Sequence, residues 1–402
     1  MKILVLSPGE PTVINSGLGV VANALNRELG NLVELIIIQP NNNQGVNKSN
    51  QNSIHGIDIK NELLSDANII NEETKILIDA QLDAYHYNTP LKKEGKEVEK
   101  QFNLIKNELE NYSTLVLQEV KKLEFDLIYA HDWITLETAV KIKERTGKPL
   151  VAHIHSLDFD RGAGSDKSFV YDIEFNALHK ADAIIAVSQY TSTILEKHYN
   201  ISPEKIKVVY NAIDVVKLPE VEKTIPDKLV LFVGRLSGQK GPGLFMQIAE
   251  DLLSKRDDVR FVLVGDGELL KSLIEQGANP VSNGKIHFTG SVEHEEVLKL
   301  YAMADVYCMP SVSEPFGLSA LEAASAGVPV VLSSQSGAAE VLKGALLADH
   351  WEVDAFVRNI EQLLNEPKMA REAVVLNYDC LKGMTWNKAA KQVYQVFIDA
   401  VN

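Results

Sequence analysis

The feature that most constrains the fold is a regular alternation of short apolar segments with helical patterns along most of the chain. The segments are rich in branched aliphatic residues, as is typical of strands buried on both faces of a sheet. The predicted strands of the first half are Ile3–Leu6, Val33–Ile38, Asp126–Ala130, Leu150–Ile154, Ala183–Val187 and Val208–Tyr210. Those of the second half are Leu229–Val233, Arg260–Val264, Ile286–Thr289, Val306–Met309 and Pro329–Leu332. This alternation predicts an α/β fold with two doubly wound parallel sheets.

The length of 402 residues favours two domains over a single core. Between the two strand sets, residues 213–226 lose the periodicity and carry charges and two prolines, as a linker does. We therefore place an N-terminal domain at 1–214 and a C-terminal domain at 215–385, and expect the amphipathic helix at 386–402 to pack across their junction. The polar, Asn-rich segment 39–75 is expected to form surface turns or hairpins outside the sheet core.

Composition excludes several classes of function. The chain has 40 Lys and Arg against 55 Asp and Glu, a net charge of −15, which argues against nucleic-acid binding and simple docking on anionic lipid. No apolar segment approaches the roughly 20 residues that cross a bilayer, and Ile3–Leu6 is too short for a signal peptide. Cys308 and Cys380 lack metal-ligand spacing and indicate reduced thiols. We predict a cytoplasmic protein without a metal site.

Two carboxylates, Glu314 and Glu322, flank a Pro-Phe-Gly turn in the second half. Pro315 and Gly317 interrupt any helix, so a helix begins near Leu318 and presents free N–H groups, which attract phosphate. Glu322, about one turn into this helix, can accept hydrogen bonds from the hydroxyls of a ribose, while Glu314 stands beside the anion site. The pair predicts a site for a nucleotide that carries a sugar.

Two cations follow the first strand of the second half. Gly234-Arg235 ends that strand and Lys240 comes five residues after Arg235, at the sheet edge where open α/β folds bind ligands. Together they can hold a diphosphate, although surface loops also carry such residues. The strand ends at Gly265 and Val292 bring small residues to the same edge, where backbone can frame a flat base. We expect these residues to converge with the Glu314–Glu322 segment.

The first half contains a glycine segment and two short polar motifs with histidine. Gly17 and Gly19 follow the first strand and allow a ligand to approach the backbone, although a tight connection without a ligand remains open.

His153 and His155 are separated by one residue, and we expect them on opposite faces of their strand, unable to share a metal. We predict that His155, nearer the loop, is functional. For His131 and Asp132 a structural role, such as capping the next helix, remains open.

The order of these motifs resembles that of the family 4 retaining glycosyltransferases of the GT-B fold. The residues that carry the resemblance are Gly17, Gly19, His155, Gly234, Arg235, Lys240, Gly241, Glu314 and Glu322. The phrases 153–161, 186–188 and 209–214 look like the glycogen-synthase-like members. The resemblance implies two Rossmann-like domains facing a central cleft, with the acceptor side in the N-terminal domain.

Carried over by position, the resemblance implies that Arg235 and Lys240 bind the donor diphosphate. Glu322 would bind the ribose hydroxyls and Glu314 the donor sugar. The remaining donor-binding positions are Gly234, Gly265, Val292, Phe316, Gly317 and Leu318.

In the N-terminal domain, Gly17 and Gly19 would close over the phosphates and His155 would contact the sugar near its reacting carbon. Ser16 stands where the family often has a second glycine, so we expect a stiffer or reshaped loop with activity retained, and the exact fit of the donor sugar stays open.

The function expected from the resemblance is retaining transfer of a hexosyl group, glucose as the leading choice, from UDP-glucose or ADP-glucose to an α-glucan or small sugar. No cofactor or metal is expected. A lipid acceptor stays open, and the oligomeric state cannot be read from the sequence. Alternatives are a nucleotide-sugar epimerase, a glycoside phosphorylase of the same fold, and a sugar-nucleotide-binding module without activity.

Overall fold

The structure is a computed structural model that describes residues 1–8, 17–40, 73–78, 96–164, 167–214, 217–223, 225–278 and 284–402. The strands in these ranges are β1 Lys2–Leu6, β2 Glu34–Pro40, β3 Glu73–Ile78, β4 Leu127–His131, β5 Leu150–Ile154, β6 Ala183–Ala186, β7 Ile206–Val208, β8 Lys228–Val233, β9 Val259–Val264, β10 Ile286–Gly290, β11 Val306–Met309, β12 Val330–Ser333 and β13 Leu346–Ala348. The α-helices are α1 Gly17–Leu29, α2 Lys96–Val120, α3 Trp133–Thr146, α4 Asp158–Arg161, α5 Phe169–Lys180, α6 Gln189–Tyr199, α7 Pro242–Lys255, α8 Leu270–Gly277, α9 His294–Met303, α10 Leu318–Ser325, α11 Gly337–Val341, α12 Val353–Asn365, α13 Pro367–Leu381 and α14 Trp386–Val401.

The strands form two parallel sheets. Within the described ranges the first sheet has the order β3-β2-β1-β4-β5-β6-β7 and the second the order β10-β9-β8-β11-β12-β13. In each sheet the chain starts near the centre and runs to one edge before returning to the other, and helices cover both faces. The predicted α/β fold with two doubly wound parallel sheets is therefore confirmed.

The predicted strands differ from the observed ones mainly at the edges of the sheets. The prediction of a strand at Val208–Tyr210 is wrong in its bounds, because the strand β7 covers Ile206–Val208. The strands β3 and β13 were not predicted, and β3 begins inside the segment expected to lie outside the sheet. Both are edge strands with few consecutive apolar residues, which weakens their sequence signal. Residues 41–72 lie outside the described ranges.

The C-terminal helix α14 covers the first sheet although it follows the second sheet in sequence. Its buried residues Trp386, Val393 and Phe397 pack in one cluster with Val21 and Leu25 of α1. The strands before residue 209 belong to the first sheet and those after residue 227 to the second. The exact domain boundaries at 214, 215 and 385 remain predictions. None of the helices in the described ranges combines the length and apolarity that a membrane crossing requires.

Candidate active site

The turn before α10 creates a half-buried helix start at the carboxyl edge of the second sheet. The helix begins at Leu318, as predicted, and Gly317 at its N-cap has a φ of 96°. A Cβ at Gly317 would lie 3.0 Å from the Met309 Cε and 3.2 Å from the Glu314 Cγ, so this left-handed, crowded position requires glycine. The Ala320 N–H donates to the Gly317 carbonyl at 3.0 Å, whereas the N–H groups of Leu318 and Ser319 have no acceptor within the helix and can donate to an anion.

Lys240 and Glu314 form an ion pair beside this helix start. The Lys240 Nζ donates to the Glu314 Oε2, and the Ser311 hydroxyl lies 3.5 Å from the same oxygen. The Glu314 side chain is 5% exposed and that of Lys240 is 21% exposed. Residues that are 74 positions apart in sequence thus meet, and Glu314 in turn lies against Gly317 at the start of α10.

Glu322 lies in the first turns of α10 and is held by a tyrosine. The Tyr301 hydroxyl donates to its Oε2 at 3.2 Å and also reaches the Ser319 carbonyl at 3.1 Å. Burial raises the pKa of Glu322 above its ordinary value, while the hydrogen bond from Tyr301 acts in the opposite direction. The carboxylate therefore has a fixed orientation, and its second oxygen can accept hydrogen bonds from a hydroxyl-bearing ligand.

The strand-end glycines of the second sheet pack backbone against backbone. The Gly234 N–H donates to the Val264 carbonyl at 3.0 Å, and the Gly265 N–H donates to the Gly290 carbonyl at 3.0 Å. A Cβ on Gly265, whose φ is 134°, would overlap the carbonyl oxygen of Gly234. Close packing of the backbone therefore requires glycine at position 265, whether or not a ligand binds there. Arg235 follows directly and is half-buried.

Val292, the other predicted base-framing residue, is half-buried and packs against the apolar core on the second sheet.

The glycine segment of the first half reaches the start of α10. Gly17 is exposed at the first position of α1, and a Cβ on it would lie 3.7 Å from the Leu318 Cδ1. Gly19 lies buried in the next part of the same helix. The loop that precedes them, residues 9–16 with Ser16, lies outside the described ranges.

The histidines of the first sheet form one stacked cluster, which corrects the expectation that His153 and His155 diverge. Their ring centroids are 4.2 Å apart with planes inclined by 25°. The expectation was wrong because side chains alternate along a strand with a period of two, so residues i and i+2 share a face. The His131 Nδ1 lies 3.0 Å from the His155 Nε2. One ring nitrogen of each of the three lies within 4.8 Å of the others, a spacing that could hold a metal ion, so the expectation that His153 and His155 cannot share one is also wrong.

Burial keeps these imidazoles neutral and Asp132 holds the strand end in place. Burial lowers the pKa of His131 to about 3 and, together with the neighbouring His131, that of His155 well below its ordinary value. Asp132 lies at the cap position of α3, but its carboxylate does not cap that helix. It instead accepts from the N–H of His155 at 2.7 Å and of Ser156 at 3.4 Å. Burial raises the pKa of Asp132 to about 7.

The sequence analysis assigned no role to a set of buried and half-buried polar residues that join the two halves of the chain. These are Asp160, Tyr190, Ser313 and Glu340, with Arg161 and Glu174 paired beside Asp160 in the first half. Asp160 and Arg161 follow the His155 strand end, so their position at the carboxyl edge of the first sheet was a usable signal. The others lie far apart in sequence, and no spacing rule links them.

Comparison with known proteins identifies the family of the chain. Residues 84–217 match the family described as Glycosyltransferase Family 4, and residues 204–374 match Glycosyl transferases group 1. The chain is 30% identical over 295 residues to an uncharacterized glycosyltransferase of Methanocaldococcus jannaschii, covering 68% of this chain and 75% of the relative. It is 28% identical over 287 residues to the glycogen synthase of Mycobacterium tuberculosis, covering 68% of this chain and 69% of that protein.

A solved structure shares the architecture over the whole chain. The protein HepE of Anabaena, solved in complex with UDP and glucose, superposes with a TM-score of 0.68 at 18% identity. The match covers 99% of this chain and 100% of that chain. At this identity the likeness establishes the fold, whereas the archaeal relative establishes the family. The chain therefore belongs to the family 4 glycosyltransferases of the GT-B fold and is a glycosyltransferase.

Proposed function

We propose that this glycosyltransferase moves a glucosyl group from a nucleoside-diphosphate glucose to a carbohydrate acceptor with retention of anomeric configuration. The observation that supports the proposal best is the Lys240–Glu314 pair beside the free N–H groups of α10. This arrangement places a cation and a helix N-terminus next to a carboxylate that can bind sugar hydroxyls. An anionic leaving group and a sugar can therefore be held side by side.

Departure of the diphosphate leaves negative charge on phosphate and positive charge on the sugar ring. Lys240, Arg235 and the start of α10 are proposed to stabilise the phosphate charge, and removal of one such donor costs about 3 kcal/mol of barrier. With Lys240 beside Glu314, the start of α10 next to it and Arg235 following the end of β8, we propose that no metal or other cofactor is required. The Lys240 ammonium already lies there before a donor binds, because Glu314 holds it.

The remainder of the donor is proposed to lie along the carboxyl edge of the second sheet. Glu322, oriented by Tyr301, would accept hydrogen bonds from the ribose hydroxyls. The backbone at Gly265 and the side chain of Val292 would frame the base. Glu314, with the backbone of residues 316–318, would bind the sugar hydroxyls.

The first half is proposed to complete the site from the opposite side. Gly17 and Gly19 would close over the phosphates, consistent with the closeness of Gly17 to Leu318. His155, kept neutral by burial, would contact the sugar near its reacting carbon. The acceptor would attack the face that the phosphate leaves, and the departing phosphate oxygen would take the acceptor proton. The product then keeps the configuration of the donor.

The donor and acceptor classes are inferred from relatives. HepE was solved with UDP and glucose, and a relative of 28% identity is a glycogen synthase. We therefore propose UDP-glucose or ADP-glucose as donor and an α-glucan or small sugar as acceptor. Lipid-linked sugars are included among the acceptors to be tested.

The test starts with a thermal-shift panel of nucleoside diphosphates and nucleotide sugars, since a ligand that binds the folded state raises its melting temperature. The best donor is then incubated with glucans, small sugars and lipid-linked sugars, and release of nucleoside diphosphate is measured with and without EDTA. We expect release of nucleoside diphosphate that depends on the acceptor and that EDTA leaves unchanged. We also expect NMR to show an α-linked product from an α-linked donor.

Three variants assign the site. K240M is expected to lower the rate of transfer at least about a hundredfold. E322Q is expected to weaken nucleotide binding. Lys255→Met is the matched control, because Lys255 pairs with Asp251 on the surface of α7. Epimer formation from donor alone, phosphate-dependent cleavage of a disaccharide, or binding without turnover across all acceptors would each overturn the proposed reaction.

A further inference from the structure

Ser313, in the second half of the chain, has both of its side-chain hydrogen-bond partners in the first half. Its hydroxyl donates to the Asp160 Oδ1 at 2.5 Å, and its oxygen lies 2.9 Å from the Tyr190 hydroxyl. Because a serine hydroxyl has one proton and gives it to Asp160, Tyr190 is the donor of the second bond. We call this set, Asp160, Ser313 and Tyr190, the Ser313 bridge. Ser313 is 1% exposed, so water does not compete for these bonds.

The first-half side of the Ser313 bridge is firmly held. The second oxygen of Asp160 accepts from the Leu157 N–H at 2.9 Å. The next residue, Arg161, forms a buried ion pair with Glu174 at 2.5 Å and donates to the Ser156 carbonyl at 2.9 Å. These bonds tie α4 to α5 and to the strand end after His155. The position of the Asp160 carboxylate is thus fixed by its own half of the molecule.

A second connection runs parallel to the bridge. The Glu340 carboxylate of α11 accepts from the N–H groups of Tyr190 at 2.6 Å and Gln189 at 2.9 Å, which are at the start of α6. The Gly337 N–H, one turn before Glu340, donates to the carbonyl of Glu314 at 2.9 Å. The Glu314 backbone itself is bonded within the second half, since its N–H also donates to the Gln335 carbonyl at 2.9 Å, and α11 links this backbone to the start of α6 through Glu340.

We propose that the Ser313 bridge is a positioning device that sets the Glu314 carboxylate for reaction only when the two sheets stand in this arrangement. Ser313 and Glu314 are adjacent, so a displacement of the Ser313 side chain moves the peptide unit that carries Glu314. The inference rests on the proposed role of Glu314 in sugar binding. It makes Asp160 and Tyr190 positioning residues, which act through Ser313 without touching the donor.

The first experiment does not require activity. Amide hydrogen exchange is measured on the ligand-free protein for the peptide spanning residues 311–318 in S313A, Y190F and the double variant. Loss of a bond of this kind corresponds to about fivefold to tenfold faster exchange in S313A. The double variant is expected to match S313A, because the hydroxyl of Tyr190 has already lost its acceptor.

Two matched controls remove the same groups elsewhere. Y171F deletes a hydroxyl that bonds to the His198 carbonyl within the first half, and T193A deletes one that bonds to the Gln189 carbonyl on the surface of α6. Both are expected to leave exchange in residues 311–318 unchanged. Unchanged exchange in S313A as well, or additive effects in the double variant, would overturn the Ser313 bridge.

The second experiment measures transfer with the donor found above. S313A is expected to lower kcat about fivefold to tenfold while the KM for donor changes less than about twofold, because the nucleotide contacts are intact. A rise in KM with kcat unchanged contradicts the proposal. If the wild-type protein shows no transfer, the proposed function fails, whereas the exchange data still decide whether Ser313 positions Glu314.

Discussion

Replacing the two members of the Lys240–Glu314 pair separately is expected to have unequal effects on stability. In K240M the Glu314 carboxylate, 5% exposed, keeps only the hydroxyl of Ser311 at 3.5 Å among the contacts described for it. A buried charge left without its partner costs about 3 kcal/mol. In E314Q the ammonium that remains is 21% exposed and can be solvated by water, so the loss is about 1 kcal/mol.

The assay is the thermal unfolding midpoint followed by circular dichroism and calorimetry, with Lys255→Met as the matched lysine control. At about 2–4 °C per kcal/mol for a domain of this size, K240M is expected to melt about 6–12 °C lower and E314Q about 2–4 °C lower. Lys255→Met is expected to melt within about a degree of the wild type, since its pair is on the surface. If E314Q is the more damaging change, or K240M melts like the wild type, the asymmetry argued from burial is refuted.

Three further predictions concern other parts of the molecule. G337A inserts a methyl group 2.7 Å from a side-chain carbon of the first half, so unfolding studies should show a loss of about 1–3 kcal/mol, and unchanged stability would contradict the tight approach. V393A removes volume from the fully buried face of α14, with an expected loss of about 2 kcal/mol by urea unfolding, which an exposed helix would not show. Asp160 is buried beside Arg161 and Glu314, and burial raises its pKa to about 6. Since the folded pKa lies above the unfolded value, the contribution of Asp160 to stability is present below about pH 4 and is lost by about pH 7. The difference in unfolding free energy between wild type and D160N should therefore shrink by about 3 kcal/mol across that range. A difference that stays constant with pH would disprove this prediction.

The sequence carried most of the information about the fold and about the local backbone shape of the proposed donor site. Apolar periodicity located the central strands, and Leu150–Ile154 and Val306–Met309 were predicted with their observed bounds. The start of α10 at Leu318 followed from the conformational limits of Pro315 and Gly317. These features could be predicted because they depend on backbone preferences and side-chain alternation within a few residues.

The edge strands were the part of the fold that local pattern did not reveal. An edge strand such as β13 has one sheet neighbour and short apolar content, so its pairing depends on β12 more than on its own residues.

Sequence analysis determined that the chain forms two parallel sheets and that a helix begins at Leu318 after the Pro-Phe-Gly turn. The tertiary structure alone decided which distant side chains meet there. Lys240 reaches Glu314 across 74 positions, Ser313 reaches Asp160 across 153, and α14 returns to cover the first sheet. Local periodicity fixes each strand and helix because it follows from backbone geometry within a segment. Contacts between the halves depend on how two separately folded sheets are placed against each other, and no local pattern contains that placement.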